Sequence, residues 1–222
     1  NGAEMMDFVP DEEYESEPEL SAISWRNEKE ISGAGKVKPR KSGSAAKREC
    51  PNVIEGRARL ITDGSGRLMD DIDTDMIFHN KYLAITEIEK MGERTFETLT
   101  GYEDFAEGFE EGDIIIAGGN FGCGSSRQQA VDCFISLGAS MVITASTGAI
   151  YKRNIINTGF PFLEAENIAG AGIEEGERLR VDFPAGKITR QNGEIVQASA
   201  PTRVQTDICR AGGLFNYTGE GE

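Results

Sequence analysis

The chain has 222 residues, 38 of them acidic and 23 basic, and a net charge of −15. That excess excludes general binding to nucleic acid or to anionic membranes. The length is enough for one large domain or two small ones and a hydrophobic share of 38% allows a compact but not a generous core, while the longest aliphatic run, Ile114–Ala117, is far short of the roughly 20 residues a spanning helix needs. The chain starts at Asn1, and its first 20 residues hold eight acids and no base, the reverse of a secretory or transit leader. The expectation is a cytoplasmic protein, processed or cut from something longer.

Cys50, Cys123, Cys133 and Cys209 are widely spaced, with no C-x-x-C pair and one histidine, His79. A zinc site or a self-contained iron–sulfur cluster therefore lacks ligands at the right spacing. Free thiols in a reducing compartment are expected.

Residues 1–52 read as a tail or linker. The acidic start is followed by Lys36–Arg48, with six basic residues and little apolar surface to bury. From Val53 to about residue 218 the texture is globular. Gly56–Thr62 alternates like a strand. Ile88, Met91, Thr95 and Leu99 recur at helical spacing and predict a helix within Thr86–Leu99. Asp113–Ala117 and Met141–Ala145 are buried strands. Gln128–Leu137, closed by Gly138, and Ala149–Asn157, stopped by Gly159 and Pro161, are helices. Leu179–Phe183 and Ile195–Ala198 are late strands. The order of elements between 113 and 157 is α/β in style, with a parallel strand pair.

Gly118–Arg127 (GGNFGCGSSR) follows a buried strand and opens a helix. Glycines allow positive φ, a helix start offers unpaired N–H groups, and Arg127 supplies a fork suited to a carboxylate. These parts favour a small anionic ligand. The alternative is a tight turn whose serines cap the helix. Known glycine motifs do not fit. Arg127 stands where a dinucleotide fingerprint needs Gly, Ser125 where a P-loop needs Lys, and Gln128 where a nucleophile elbow needs Gly. A Ser-His-acid triad has only His79 to draw on. Asp71-Ile72-Asp73-Thr74-Asp75 begins like a calcium loop, but Met76 and Tyr82 occupy the positions of its Gly and Glu. A solvated acidic turn is the plain reading.

Taken together, DIDTDMI (71–77), GGNFGCGSSRQQA (118–130), YKRNIINTGFP (151–161) and GGLFNY (212–217) resemble the small subunit, or swivelling domain, of the aconitase superfamily, over about residues 55–217. The resemblance implies a three-layer β/β/α domain and a hydro-lyase that moves a hydroxyl between neighbouring carbons of a hydroxy-acid. It implies a [4Fe-4S] cluster carried by a large partner subunit and not by this chain. By the same resemblance Ser125 is the catalytic base, Gly124, Ser126 and Arg127 bind the substrate, and Asp75 orients them from behind. Ala84 stands where homoaconitase-like members place an arginine for an extra carboxylate, which favours a substrate with an apolar tail, as in the isopropylmalate isomerase branch of leucine biosynthesis. Homoaconitase- or aconitase-like activity is the alternative, and a non-catalytic anion-binding or scaffold subunit the alternative of another class. Gln128-Gln129 departs from the more common Glu-His and removes one charge partner for Arg127. Ser146-Thr147-Gly148 replaces Ser-Phe-Ala, with an effect expected on packing only. Cys123 is read as a small packing residue.

Overall fold

The computed structural model describes residues 50–219. The acidic start, the basic stretch and most of the expected tail, residues 1–49, lie outside the described residues, as do residues 220–222.

One seven-stranded sheet organises the domain, in the order β4-β3-β2-β1-β5-β6-β7. Strands β1 (Val53–Leu60), β2 (Ile114–Ala117), β3 (Met141–Thr144) and β4 (Phe162–Glu164) run parallel to one another. Strands β5 (Arg178–Asp182), β6 (Lys187–Arg190) and β7 (Ile195–Gln197) continue from the other side of β1 as an antiparallel meander. The sheet curls until its ends touch: Glu164 on β4 bridges to Ser199, just past β7.

Curling makes two cores. Ile114, Ile116, Met141 and Ile143 pack with Leu179, Val181 and Ile188 of the meander. On the opposite face Ile115, Ala117 and Val142 pack with Val131 and Phe134 of α2 (Gln129–Leu137) and Ile155 of α3 (Ala149–Asn157). This is the expected β/β/α layering. It explains why β2 is apolar at every position: a strand covered on both faces has no solvent side, and each isoleucine fully buried there contributes about 1.5–3 kcal/mol.

Helix α2 sets Ala130, Val131, Phe134 and Leu137 on its buried face and ends at Gly138, whose left-handed φ of 87° lets its N–H close on Phe134 and Ile135. The helix expected within Thr86–Leu99 does not form. Two 3-10 turns, Ile88–Lys90 and Gly92–Arg94, take its place. Gly92 presses against the last turn of α2, where a Cβ would stand 2.7 Å from the Leu137 nitrogen. Phe96 adopts a φ of 58°, an unfavourable conformation for its type, and its ring is fully buried against Phe105 and Phe134. Tertiary packing thus overrides the local period.

Helix α4 (Arg203–Ala211), begun by a reciprocal capping box between Thr202 and Gln205, lies outside the sequence reading. It carries a correction to the cysteine reading. Cys209 on α4 is joined to Cys50 by a disulfide, so only Cys123 and Cys133 are free among the four. The two partners are 159 residues apart in sequence, and curling of the sheet brings the approach to β1 beside α4. Cross-links that close long loops typically add about 2–4 kcal/mol. Cys209→Ser should lose that amount, and reductant should lower the melting temperature of the wild-type protein but not of the variant. A wild-type melting temperature indifferent to reductant would count against the staple.

Candidate active site

Three parallel strands deliver their following loops to one end of the sheet. The loop after β1 holds residues 70–73 and leads into the short helix α1 (Thr74–Ile77). The loop after β2 is the glycine-rich segment 118–127, and that after β3 is 145–148. Carboxyl ends of adjacent parallel strands are where open α/β sheets characteristically bind ligands.

Backbone hydrogen bonds lace the first two loops together. Asp71 N donates to Gly119 O at 2.9 Å, Gly122 N to Ile72 O at 2.7 Å, and Thr74 N to Cys123 O at 3.0 Å. Side chains add to the seam. Asp70 Oδ1 accepts from Gly119 N at 2.5 Å, and Asn120 Nδ2 donates to Asp71 Oδ1 at 2.8 Å. Asp73 caps α1 by accepting from Met76 N at 2.8 Å. Three acids of the 70–75 stretch are therefore spent on N–H groups, and among the described residues no group of three His, Cys, Asp or Glu is placed to hold a metal ion. Gly122 has to be glycine: its φ is 70°, and a Cβ would meet the Tyr151 ring at 2.2 Å.

The third loop ties into the second through Ser146, the residue its motif shares with the usual Ser-Phe-Ala. Ser146 Oγ accepts from Asn120 N at 2.8 Å and its carbonyl from Phe121 N at 3.0 Å. Asn120 itself has a φ of 52°, so this bond holds a strained residue in place.

Past Gly124, at φ 95°, the segment Ser125–Gln128 connects to α2. Gly124, Ser125 and Ser126 are exposed. Neither serine caps the helix. α2 starts at Gln129, one residue after its expected start, with Gln128 at its N-cap and no side-chain cap bond, so the capping alternative fails. Instead the segment is tethered at each residue. The Ser125 carbonyl accepts from Thr74 Oγ1 at 3.0 Å, Ser126 Oγ accepts from Asn154 Nδ2 at 3.2 Å, and Arg127 Nη2 donates to Asp75 Oδ2 at 2.7 Å.

Arg127 therefore does not lack a charge partner. Its Nη1 also lies against Asp75 Oδ1, although no N–H there is aligned for a hydrogen bond. The Arg127 hydrogen bond, more than any other influence, holds the Asp75 carboxyl below its ordinary value, and the same bond raises Arg127. The other Asp75 partner is Asn80 N at 3.0 Å. Asn80 opens the turn that leads to exposed Ala84, so Asp75 joins the arginine to the loop on which Ala84 sits. Gln128 turns away, its amide donating to Asp132 at 2.9 Å and Thr158 at 2.8 Å.

The free thiols do not fit a cluster ligand set. Burial first, then the charges of Asp73 and Asp71, push the Cys123 thiol up, and its Sγ donates to Asp71 O at 3.6 Å. Cys133 is fully buried and pushed up to about 12 by loss of water. His79 accepts from Lys81 N through Nδ1 and caps a turn. Two pockets lie away from the serines, one lined by Lys152, Glu164, Gln205 and Cys209, the other by Arg59, Tyr102 and Glu175.

Sequence reasoning gathered Asp75, Gly124, Ser125, Ser126 and Arg127, and the fold places them together. It missed Thr74, Asn154 and Ser146 as tethers. Thr74 and Asn154 stood inside the quoted motifs without a stated partner, and no local signal pairs residues about 30 to 50 positions apart.

A sequence model of the aconitase C-terminal domain matches residues 69–167. The 3-isopropylmalate dehydratase small subunit 1 of Archaeoglobus fulgidus is 38% identical over 149 residues, which cover 67% of this chain and 90% of the relative. The 2,3-dimethylmalate dehydratase small subunit of Eubacterium barkeri is 38% identical over 152 residues, 68% of this chain and 91% of the relative. A solved structure of 3-isopropylmalate dehydratase from Methanocaldococcus jannaschii superposes with a TM-score of 0.66 at 33% identity, covering 75% of this chain and 93% of that one. With its seam of strand-end loops and this degree of likeness, the chain belongs to the aconitase C-terminal-domain family, among the dehydratase small subunits.

Proposed function

We propose that this chain is the small subunit of a hydro-lyase that isomerises an apolar-tailed malate, 3-isopropylmalate above all, by dehydration and rehydration. The observation that carries the reading is the Ser125-Ser126-Arg127 segment, with both serines exposed and the arginine mostly covered, fixed at each residue by a tether and free of any duty to cap α2. The relatives named for 3-isopropylmalate and 2,3-dimethylmalate support the substrate class.

In this reading Ser125 Oγ takes the proton from the carbon next to the hydroxyl-bearing one as the hydroxyl leaves, and on rehydration gives it to the carbon that lost the hydroxyl while water adds to the other. A serine hydroxyl is a weak acid, so its alkoxide needs nearby donors that are already oriented. Ser126 and Arg127 receive a substrate carboxylate, with Gly124 giving backbone access. Asp75 already holds one Arg127 nitrogen in a hydrogen bond and lies against a second, so the carboxylate shares the guanidinium with it and does not meet a bare cation. A [4Fe-4S] cluster, the Lewis acid this superfamily uses on the hydroxyl, does not fit the thiols of this chain, and we assign it to a large partner subunit. The open surface around the serines supports the same division: a partner has to enclose the site before water is excluded.

Co-expression with a large dehydratase subunit and anaerobic assay tests the reading. Ser125→Ala should keep the fold and the subunit contact and lower turnover by about 10²–10⁴-fold, the usual range for a general base. Turnover near wild type would remove the base assignment. Arg127→Lys should chiefly raise KM, because an ammonium lacks the planar grip.

The Asp75–Arg127 pair has a definite pH signature. Its carboxyl lies lower in the folded chain than in the unfolded one, so the stability it contributes is complete above the ordinary value of 3.8 and is lost as pH falls through the folded value. Carbon-detected NMR should place the Asp75 midpoint below 3.8 and move it back up in Arg127→Gln. An unmoved midpoint would break the assignment of Arg127 as the cause.

Ala84 offers no charge to a distal carboxylate. Ala84→Arg should shift preference in kcat/KM from isopropylmalate towards homocitrate. A wild-type holoenzyme that prefers homocitrate or citrate would refute the substrate choice.

A further inference from the structure

Gly124 is a pivot with left-handed φ, and Thr74 holds it on both sides. The Thr74 N–H donates to Cys123 O at 3.0 Å and its hydroxyl to Ser125 O, also at 3.0 Å. Carbonyls on either side of one pivot, bound by one residue, fix the direction in which the Ser125 side chain leaves the backbone. Thr74 is itself immobile. It is 2% exposed, begins α1, and its carbonyl accepts from Phe78 N at 3.0 Å. The next serine is governed differently. Asn154, inside α3, donates its amide to Ser126 Oγ. An Oγ that accepts there keeps its own proton to offer outward.

We propose that Thr74 and Asn154 are the positioning residues of the two serines. Thr74 aims Ser125 at the reacting carbon and so governs turnover. Asn154 leaves the Ser126 proton facing a substrate carboxylate and so governs binding. Neither touches substrate. The inference rests on the proposed roles of Ser125 and Ser126 and goes beyond them, because it predicts a division of effects between kcat and KM that tethering for stability alone does not produce.

The test uses the holoenzyme reconstituted with a large dehydratase subunit, isopropylmalate as substrate, and melting temperatures on the same samples. Thr74→Val keeps the shape and removes the hydroxyl. It should lower kcat by about tenfold to a hundredfold, the scale expected for a misplaced reacting group, with KM close to wild type. Thr74→Ser, which restores the hydroxyl, should recover most of that loss. Asn154→Asp should reverse the bond so that the carboxylate takes the Ser126 proton, raising KM by about tenfold or more with a smaller effect on kcat. A Thr74→Val enzyme with wild-type kcat overturns the inference, as does a Thr74→Ser enzyme as slow as Thr74→Val or an Asn154→Asp enzyme with unchanged KM. Ser125→Ala run alongside separates the two levels. If it is inactive while Thr74→Val is fully active, only the positioning inference falls. If Ser125→Ala is active, the base assignment falls and takes the inference with it.

Discussion

Everything at the candidate site depends on the seam between the loops that follow β1 and β2. The strands are parallel neighbours, with Leu60 beside Ile116, so their carboxyl ends release both chains in one direction. Backbone bonds from Asp71, Gly122 and Thr74 continue the pairing past the end of the sheet. Buried or crowded N–H and C=O groups have to be paired somewhere. Here they are paired across the seam, which is why two irregular segments hold a fixed shape without regular secondary structure.

The seam explains the acids. A cluster of Asp70, Asp71, Asp73 and Asp75 reads in sequence as a solvated turn or a failed cation loop. In the fold, Asp70 serves Gly119, Asp71 serves Asn120, Asp73 caps α1, and Asp75 meets Arg127. Carboxylates that accept N–H donors in this way have their hydrogen-bond partners without a metal. They also lend rigidity to the glycines, whose conformational freedom is needed for close approach, as at Gly122 beneath the Tyr151 ring, but leaves the loop unfixed if nothing else holds it.

Much of this architecture was legible from residue order. β2 announces itself as an uninterrupted apolar run and β3 as one that ends on Thr144, α2 by its apolar face and closing Gly138, and α3 by the glycine and proline beyond it. The glycine–serine–arginine segment stood out as a candidate anion site through residue types alone, with a capping turn as its alternative. What failed has physical causes. Met91, Thr95 and Leu99 are buried around two tight turns while Ile88 is exposed, so the period does not mark one helix face, and Gly92 and Phe96 give way to packing against α2. α4 is polar on average but strongly amphipathic, with Thr206, Ile208 and Cys209 buried, so its stripe and its capping box were both present as local signals. β4 and β6 are too short to establish a period. The Cys50–Cys209 bond and the Asp75–Arg127 pair join residues that only the curled sheet and the seam bring together.

That pair also resolves a tension in the overall charge. A chain with net charge −15 is a poor host for a dicarboxylate, and a lone arginine would be a weak answer if it were free to swing into solvent. Fastened to Asp75, the guanidinium loses part of its field but none of its geometry, and its side chain stays mostly covered at 13% exposure. A flexible arginine has to give up rotamer freedom when a carboxylate arrives; one already fixed by Asp75 gives up little. The arrangement therefore trades attraction at long range for order at short range. Under the proposed function such a trade suits a surface over which a large subunit would close, because long-range steering of the substrate would then be decided by the whole assembly, and this chain would have to supply only the placement of three consecutive side chains.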